Sequence, residues 1–315
     1  MEEEFGSGGE GGIAIAGNVS LYNSTSLTVT GGNGGVASST GSSNTTSGTS
    51  KGGDGGTAIN GNVSIADNCK LIVNCSNGGK GGLAQISRGG NAGSGIIGDV
   101  SLGKNIVLIV KLGKYGVANT SASSTYQGQP GYEIITSVIP TIDGGYIKTL
   151  FYDSSKQLIV PVDSSNNNLY FTRIVPNIGG KLIPNKEFQI VSDGFTYSTR
   201  TDENGDIYCY LPTVIDMKLE YDNYFATLSQ VWEDNNNTMY LTMDYKIDDP
   251  SGVLGDLNND NTRNIIDVRV LLQKVIANQT GNWTEAELTV GDMNKDKTID
   301  IIDVRILLAK VIAES

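Results

Sequence analysis

The sequence predicts a mainly β protein of three parts: a Gly-rich parallel β-solenoid, an immunoglobulin-like β-sandwich, and a small α-helical module of two loop-helix repeats. Three observations predict this order. Glycine is concentrated at the start of the 315-residue chain, where 29 of the 41 glycines precede residue 117. The middle replaces glycine with short runs of alternating aromatic and aliphatic residues. The end repeats an acidic loop that leads into an amphipathic helix.

Charge and residue usage exclude several classes of function. The chain has 22 Lys and Arg against 34 Asp and Glu, and it contains no His. Phosphate recognition requires a basic face, so we expect no nucleic-acid partner. Without His, catalysis would depend on carboxylates, Lys, Tyr or Cys, so we expect no enzymatic activity. The sequence has no apolar run of about 18 residues, so no membrane span is predicted.

Neither the cysteines nor the N-terminus indicates covalent processing. Three cysteines are too few for a disulfide framework. Cys69 and Cys75 flank the β-prone run "KLIVN", which would hold them beyond bridging distance, so we predict free thiols. The opening "MEEEFGSGGE" has neither a basic nor an apolar segment, so we do not expect a signal peptide there.

Residues 1–125 contain a repeated phrase. "GGIAIAGNVSLYNSTSLTVTGGNGG" begins at Gly11, "GGTAINGNVSIADNCKLIVNCSNGGKGG" begins at Gly55, and a shorter copy, "GIIGDVSLGKNIVLIVKLG", begins at Gly95. Each copy holds two β-prone runs with period-two alternation, separated by Asn, Asp and Gly. Short strands that recur and cannot bury an apolar face alone are typical of a stacked solenoid. We therefore predict a right-handed parallel β-helix.

The Gly-Gly pairs of these copies allow two interpretations. In the first, they form tight corners that need positive φ and leave no room for a side chain. In the second, "GGNGG", "GGDGG" and "GGKGG" form packed rods of polyglycine-II type between ordinary strands. The segment resembles Gly-rich repeat regions of bacterial surface and adhesin-like proteins, and composition contributes much of that resemblance.

Residues 126–248 have the pattern of a β-sandwich, as one or two immunoglobulin-like or transthyretin-like modules. In "KEFQIVSDGFTYSTRTDENGDIYCYLP", alternating runs flank the turn "DENG". Similar short strands follow at regular spacing, and no helical pattern separates them. This arrangement predicts antiparallel strands joined by tight turns.

Three aromatic residues of the predicted sandwich are candidates for stacking on glycan rings. Tyr208 and Tyr210 alternate with apolar residues that should face inward, so we expect both rings on the outer face of their strand. Covering a neighbouring module is an equal alternative for these two tyrosines. Trp232 is the third candidate.

Residues 249–253 are predicted to be a short linker, because Pro, Gly and acidic residues cluster there. The remaining segment, residues 254–315, contains "GDLNNDNTRNIIDVRVLLQKVIAN" from Gly255 and "GDMNKDKTIDIIDVRILLAKVIA" from Gly291. Both place oxygen-bearing residues at positions 1, 3, 5, 7, 9 and 12 of a twelve-residue loop, as an EF-hand calcium loop does.

Two calcium ions are therefore predicted, one in each loop, because calcium takes six to eight oxygen ligands. Position 7 would use its backbone carbonyl, and position 9 would act through water. The ligands would be Asp256, Asn258, Asp260, Thr262, Asn264 and Asp267 in the first loop, and Asp292, Asn294, Asp296, Thr298, Asp300 and Asp303 in the second. The first loop has fewer carboxylates, so we expect its site to be weaker.

The paired segments resemble a dockerin, the module through which components of bacterial cellulosome-like assemblies attach to cohesin modules of scaffold proteins. The resemblance covers residues 254–315 and rests on the two repeats and on Asp at loop position 12. It implies a calcium-dependent cohesin partner and an extracellular or cell-surface location. There are departures: Asn261 and Lys297 replace the usual Gly at position 6, and Arg263 replaces the small aliphatic residue matched by Ile299.

The helices after the loops carry a predicted core and a predicted docking face. One apolar stripe has helical spacing and should pack between the helices; it consists of Val268, Leu271, Leu272, Val275 and Ile276. Loop positions 10 and 11 hold isoleucine pairs, where dockerins carry partner-recognition residues, although core packing is an alternative for some of them. The partner-binding candidates are Ile265, Ile266, Arg269, Lys274, Ile301, Ile302, Arg305 and Lys310.

These observations predict a non-catalytic component of a cellulosome-like extracellular assembly, with an N-terminal region that binds polysaccharide or adheres to a surface. One alternative is a β-helix polysaccharide lyase or hydrolase, which needs paired carboxylates or a basic residue beside carboxylate-bound calcium. The Gly-rich region offers Asp54, Asp67, Asp99 and Arg88 without an evident cluster. A second alternative is an architectural spacer that stiffens the dockerin. The near-identity of the helices predicts a nearly two-fold symmetric module, and the resemblance to dockerins then implies that a cohesin could dock in two orientations.

Overall fold

The structure is a computed structural model that describes residues 6–38, 48–192, 195–213, 217–222, 224–228, 231–245, 254–258, 260, 262–278 and 281–314. These residues are mainly β and include three helices near the C-terminus. In the described residues, no helix is both long and apolar enough to cross a membrane. The chain forms two compact units: the first contains Met1–Pro176, Leu182–Met217 and Leu228–Leu241, and the second contains Asn177–Lys181, Lys218–Thr227 and Thr242–Ser315.

Three sequence repeats of the first unit each contain four strands among their described residues. The first repeat (residues 6–51) forms β1 Ile15–Ala16, β2 Val19–Leu21, β3 Ser26–Thr30 and β4 Thr49–Lys51. The second (52–88) forms β5 Ile59–Asn60, β6 Val63–Ile65, β7 Lys70–Asn74 and β8 Ile86–Arg88. The third (89–126) forms β9 Ile96–Ile97, β10 Val100–Leu102, β11 Ile106–Lys111 and β12 Ser124–Tyr126. Then follow β13 Ile134–Ile135, β14 Gly145–Lys148 and β15 Phe151–Tyr152.

Equivalent strands of successive repeats pair in parallel, in the orders β1-β5-β9-β13-β15, β2-β6-β10, β3-β7-β11-β14 and β4-β8-β12. Inward side chains therefore stack as columns. One column runs from Ile15 through Ile59, Ile96 and Ile134 to Phe151, and its last four members are 0% exposed. Strand alternation puts the intervening residues outside.

Parallel pairing continues beyond residue 125, where the sequence analysis placed the end of the solenoid. β13 pairs with β9, β14 with β11, and β15 with β13, all in parallel. The ladders thus extend to Tyr152. Glycine-poor strands can continue the stack, because the ladder needs apolar alternation and register but does not need the glycine runs.

The Gly-Gly pairs lie outside the strands and do not form positive-φ corners. None of the glycines in "GGNGG", "GGDGG" and "GGKGG", all of which are described, has positive φ, so the corner interpretation is wrong. Neighbouring runs hydrogen-bond to each other instead: Gly35 N donates to Gly9 O (2.6 Å), and Gly53 N donates to Gly35 O (2.9 Å). A Cβ on Gly53 would lie 2.0 Å from Gly9 O, so only glycine fits. Packed glycine rods account for these contacts.

After residue 169 the strands pair antiparallel. They are β16 Tyr170–Ile178, β17 Lys181–Leu182, β18 Glu187–Ser192, β19 Phe195–Arg200, β20 Ile207–Leu211, β21 Met217–Tyr221, β22 Tyr224–Thr227, β23 Asn237–Thr242 and β24 Asp244–Tyr245. In the first unit, β16 pairs with β20 and β18 with β19. In the second unit, β21 pairs with β22 and β22 with β24. The linker predicted at 249–253 lies outside the described residues.

The C-terminal module of the second unit contains helices α1 Ile265–Ala277, α2 Glu285–Gly291 and α3 Ile301–Glu314. Its core joins α1 and α3 through Leu271 and Leu307, both 0% exposed. Val290 of α2 is equally buried in the same cluster. The predicted loops precede α1 and α3, so the helix core positions both loops.

All three cysteines are free and buried, as the sequence analysis predicted. Burial, and to a lesser extent the nearby Glu133 carboxylate, raises the pKa of Cys75 to about 12. Burial alone raises the pKa of Cys209 to about 12. These two thiols are therefore protonated at neutral pH and inert as nucleophiles.

Candidate metal loops and docking face

Each acidic loop ends in a side chain that caps the following helix. Asn264 accepts a hydrogen bond from the amide of Ile266 (2.7 Å), and its own amide donates to Asp267 (2.8 Å). Asp300 does the same in the second loop: it accepts from the amide two residues on (2.6 Å), and its amide donates to Asp303 (2.9 Å). This reciprocal capping makes each loop and its helix start one local unit.

The buried carboxylates at loop position 12 hydrogen-bond to backbone amides near the start of each loop. Asp267 is 0% exposed and accepts hydrogen bonds from the amides of Leu257 (2.9 Å) and Asn258 (3.2 Å). Asp303, also 0% exposed, accepts from the two matching amides at 2.7 and 3.2 Å. Burial raises the pKa of Asp267 above its usual value, although these amide bonds oppose the shift.

The oxygens of loop positions 1 and 3 converge on one point in each loop. In the first, the amide of Asp260 donates to side-chain oxygens of Asp256 and Asn258, at 3.2 Å each. In the second, the amide of Asp296 donates to the oxygens of the same two positions at 3.1 and 3.0 Å. Predicted ligands two residues apart therefore face the same side of the loop.

The predicted ligands of each loop suit calcium, because they combine carboxylate, side-chain amide and backbone carbonyl oxygens. In the described part of the chain, no three Asp, Glu, Cys or His side chains come together as a metal-binding group. Calcium does not require such a group, because amide and backbone carbonyl oxygens contribute to its six to eight ligands. Hydrogen bonds, first from the Thr262 hydroxyl and then from Asn258, hold the pKa of Asp260 below its usual value despite desolvation. Its carboxylate is therefore ionised at neutral pH.

The departures from the dockerin pattern are accommodated locally. Lys297, at position 6 of the second loop, has φ of 69°, the left-handed conformation that glycine normally supplies. Its amide donates to Asp292 at 2.8 Å. Asn261, the matching residue, lies outside the described residues. Arg263 is half-buried and donates to the carbonyl of Leu254 at 3.3 Å, whereas Ile299 is buried.

The four isoleucines at loop positions 10 and 11 are exposed. Ile265 and Ile266 are 61% and 48% exposed, and Ile301 and Ile302 are 52% and 48% exposed. Arg269 and Arg305, further along the same two helices, are exposed as well. The core alternative therefore does not hold for any of the four isoleucines. These six residues form what we call the docking face.

Lys274, one of the predicted partner-binding residues, forms an ion pair within the module. Its ammonium lies 2.6 Å from the carboxylate of Glu287 in α2, and both side chains are about three-quarters buried. The sequence pattern could not anticipate this pair, because the short helix α2 is not part of the repeat. Lys310, the matching residue of α3, is half-buried.

One pair of residues that extends the exposed surface was missed. Ile276, assigned from its spacing to the core, is 67% exposed, and its counterpart Ile312 is also 67% exposed. Val270 is buried in its place at 4%. The signal was available in the sequence, because Ile276 lies eleven residues after Ile265, which is close to three helical turns.

The glycan-stacking prediction is wrong for Tyr210. The ring is 4% exposed, and its hydroxyl donates to the carbonyl of Thr149 at 2.9 Å. It packs between Phe151 and Phe171, with ring centroids at 5.9 and 5.5 Å. The outer face of β20 is covered by the end of the parallel ladders, which is the alternative that the sequence analysis left open.

The other two aromatic candidates, Tyr208 and Trp232, differ in how exposed their rings are. Tyr208 is half-buried, with Phe171 stacked on its ring at 6.0 Å and the ammonium of Lys148 over it at 4.0 Å. Trp232 is 66% exposed. Of the three candidates, Trp232 alone presents a largely free ring.

Residues 254–312 match the family model described as the dockerin type I domain. This confirms the predicted resemblance for the C-terminal module. Dockerin type I domains bind calcium and support cohesin-binding, cellulosome-type assembly, and they typically belong to extracellular proteins. No curated protein matches the chain.

Proposed function

We propose that this protein attaches to a cohesin through its docking face and thereby joins an extracellular cellulosome-like assembly. The observation that carries the proposal is the equivalence of the two loop-helix repeats. Ile266 and Ile302 are both 48% exposed, while Leu271 and Leu307 are both fully buried. A module with two matching apolar surfaces on a shared core is suited to binding a partner rather than to bracing a single fold.

Two calcium ions are part of the proposal, one held by each set of loop oxygens named above. Bound calcium would supply positive charge that offsets the loop carboxylates. Asp267 and Asp303 tie the beginning of each loop to the start of its helix, so they set the position of the neighbouring isoleucines. Calcium and the docking face are therefore coupled.

A cohesin can bind either repeat if the contact residues are matched. Ile265, Ile266 and Arg269 of one repeat correspond to Ile301, Ile302 and Arg305 of the other, and all six are exposed. The two binding modes would be related by the approximate two-fold symmetry of the module. The ion pair of Lys274 with Glu287 lies beside the first repeat, so it is a source of asymmetry between the modes.

Calorimetry of the full chain against a panel of cohesins, with and without a calcium chelator, tests the proposal. We expect one cohesin class to bind with one-to-one stoichiometry, and binding to disappear when calcium is removed. Binding that persists in chelator, or no binding to any cohesin, would contradict it.

For the N-terminal region we propose non-catalytic glycan binding or surface adhesion. The exposed ring of Trp232 supports this, since an accessible indole can stack on a sugar ring. Retention of the full chain on insoluble polysaccharides tests it, with Trp232→Ala as the variant. An architectural spacer is the alternative, and it predicts no retention.

The carboxylates of the N-terminal repeats make structural contacts, which favour the non-catalytic role over an enzymatic one. Asp54, Asp67 and Asp99 each accept a hydrogen bond from a backbone amide of the following repeat or of the segment after it, at 2.7 to 2.9 Å. Arg88 lies over the ring of Tyr126 at 4.5 Å. These side chains brace successive repeats, which favours a structural role. Release of products from pectin or xylan would favour the lyase or hydrolase alternative instead.

We also propose the finer architecture of the β part of the chain: a right-handed β-solenoid followed by an immunoglobulin-like sandwich of one or two modules. The parallel ladders support the solenoid, and the antiparallel pairs after residue 169 support the sandwich. An experimental structure of the full chain tests both the handedness and the strand order.

A further inference from the structure

We propose that a cleft on the outer face of the ladder β3-β7-β11-β14 binds an anionic oligosaccharide, whose sugar rings carry carboxylate or sulfate groups. The cleft lies within the first unit and has a volume of about 670 Å³, within the roughly 300–1,000 Å³ of small-molecule sites. This inference rests on the glycan-binding role proposed above and gives it a location and a ligand class. Trp232 does not line the cleft, so the two sites can be tested separately.

The floor of the cleft is the outer face of β11, between β7 and β14. Leu108 points into the solenoid core and is 0% exposed, whereas its neighbours Val107 and Ile109 are half-buried and line the cleft. Val107 is paired with Lys70 on one side and with Tyr146 on the other. Adjacent strands lie about 4.8 Å apart, so these three side chains form a row roughly 10 Å long. The floor thus combines an apolar surface with a cation at its edge.

Part of the lining is apolar and aromatic. Leu112 is 47% exposed, and Leu150 and the ring of Phe171 are half-buried. Phe171 stacks on the half-buried ring of Tyr208, with 6.0 Å between the centroids. Ligand sites combine such apolar surfaces with a few polar groups that orient the ligand. The C–H faces of sugar rings can cover these side chains.

Four cations also line the cleft: Lys70, Lys111, Lys148 and Arg200. Lys70 and Lys111 form no ion pair with a described residue. The ammonium of Lys148 lies 3.4 Å from the carboxylate of Asp202, and Arg200 lies 3.7 Å from a carboxylate that is 73% exposed. Lys70 and Lys111 can therefore bind a ligand anion without giving up a carboxylate partner.

The carboxylates of the cleft disfavour a uniformly charged polyanion such as a nucleic acid. Asp202 accepts hydrogen bonds from the amides of Asn204 (2.9 Å) and Asp206 (3.0 Å). Burial opposes its ionisation, but these amide bonds and the charge of Lys148 hold its pKa below the usual value. Glu203 is exposed and lines the cleft as well. Fixed carboxylates accept hydrogen bonds from hydroxyl groups, so a sugar with both hydroxyl and acidic groups matches the lining.

The repeats that form the floor are basic, although the chain as a whole is acidic. Residues 48–126 contain seven Lys and Arg against three Asp and Glu, whereas the whole chain has 22 against 34. Lys70 and Lys111 belong to this segment. A local excess of positive charge attracts anions and raises their concentration nearby. The cleft and its surroundings therefore favour an anionic ligand over a neutral one.

Calorimetry of the full chain with a soluble oligogalacturonate, at constant calcium, tests the proposal. A sulfated and a neutral oligosaccharide of the same length are the comparison ligands. We expect at least one anionic ligand to bind and the neutral one to bind much more weakly. The comparison of the two anionic ligands identifies carboxylate or sulfate as the recognised group.

The double variant Lys70→Gln and Lys111→Gln should weaken anionic binding by about tenfold or more, because it removes two cations that have no carboxylate partner. Lys80→Gln with Lys114→Gln is the matched control and should bind normally. Lys80 and Lys114 are exposed lysines of the same two repeats, and they do not line the cleft. Circular dichroism verifies that each variant is folded.

The outcomes separate this site from the wider glycan-binding role. If neither anionic ligand binds while Trp232-dependent retention on polysaccharide persists, the cleft proposal fails and the wider role stands. Equal weakening by the control variant would overturn the cleft proposal too, because the attraction would then be general. So would a neutral ligand that binds as tightly as the anionic ones. If neither retention nor oligosaccharide binding is observed, both proposals fail.

Discussion

The ammonium of Lys274 lies 2.6 Å from the carboxylate of Glu287, which joins α1 to the short helix α2. The same carboxylate accepts hydrogen bonds from the amide and hydroxyl of Thr284 at 2.9 and 2.8 Å. Burial opposes ionisation of Glu287, but these hydrogen bonds outweigh burial and lower its pKa below the usual value. A carboxyl group with a lowered pKa in the folded state stabilises the fold above its unfolded pKa.

Replacing Lys274 with Met should therefore lower the free energy of unfolding of the C-terminal module by about 0.5–1 kcal/mol at neutral pH. The effect should disappear as the pH falls through the lowered pKa of Glu287, when its carboxyl group becomes protonated. Urea unfolding followed by Trp283 fluorescence, in a Trp232→Phe background with saturating calcium, measures it. Lys310→Met is the matched control, and an equal loss there would contradict the assignment.

The two calcium loops should differ in affinity. Asp300 at position 9 of the second loop corresponds to Asn264 in the first, so the second loop has one more carboxylate. Replacing Asp300 with Asn should lower calcium affinity at the second site several-fold and make the two sites similar, because ligand charge tunes affinity in such loops. Calcium titration by calorimetry resolves the two sites. A titration curve unchanged by the substitution would contradict a role for Asp300 in binding.

Cohesin binding should tolerate the loss of either half of the docking face but not of both. Ile266→Asp or Ile302→Asp alone should reduce affinity by about twofold, the statistical factor for losing one of two equal modes, which is about 0.4 kcal/mol. The double variant should abolish binding in calorimetry. Ile139 and Leu182, exposed apolar residues outside the module, are controls for the same change to Asp. If one single variant abolishes binding, the module uses one orientation.

Trp232 and Tyr210 should respond oppositely to replacement by Ala. Tyr210 is buried against Phe151 and Phe171, so its loss should cost about 3–5 kcal/mol of stability. Trp232→Ala should leave the melting temperature nearly unchanged and reduce retention on polysaccharide. Tyr240→Ala is the control for an aromatic residue that is also exposed, at 74%. Equal loss of retention in both exposed variants would indicate nonspecific adsorption.

The C-terminal module was predictable because its information is local. Loop spacing, helix caps and the repeated isoleucines are set within a few residues of one another, and the structure places them accordingly. The ion pair of Lys274 was not predictable, because its partner, Glu287, belongs to a helix with no counterpart in the repeat. Ile276 was assigned to the helix core but is exposed. Spacing alone did not distinguish the buried face of the helix from the exposed face at this position near the helix end.

The first unit was less predictable, because its contacts are long-range. Period-two alternation indicated the strands, but no local signal revealed that β13, β14 and β15 continue the ladders. Tyr210 alternates as an outward residue should, and it is buried by Phe151 and Phe171, which are distant from it in the sequence. The glycine runs permitted two conformations, and the choice depends on rods that are distant in the sequence.

Glycines of the rods should tolerate substitution according to the atoms that a new side chain would meet. Gly53→Ala should destabilise the first unit by about 1–3 kcal/mol, the usual cost of overpacking, because the new Cβ would lie 2.0 Å from Gly9 O and the backbone would have to shift. Gly9→Ala, whose new Cβ would meet no described atom within 4 Å, should change stability by less than about 0.5 kcal/mol. Calorimetric melting compares them. Equal destabilisation by the two substitutions would mean that the glycines are required for backbone conformation rather than for close packing of the rods.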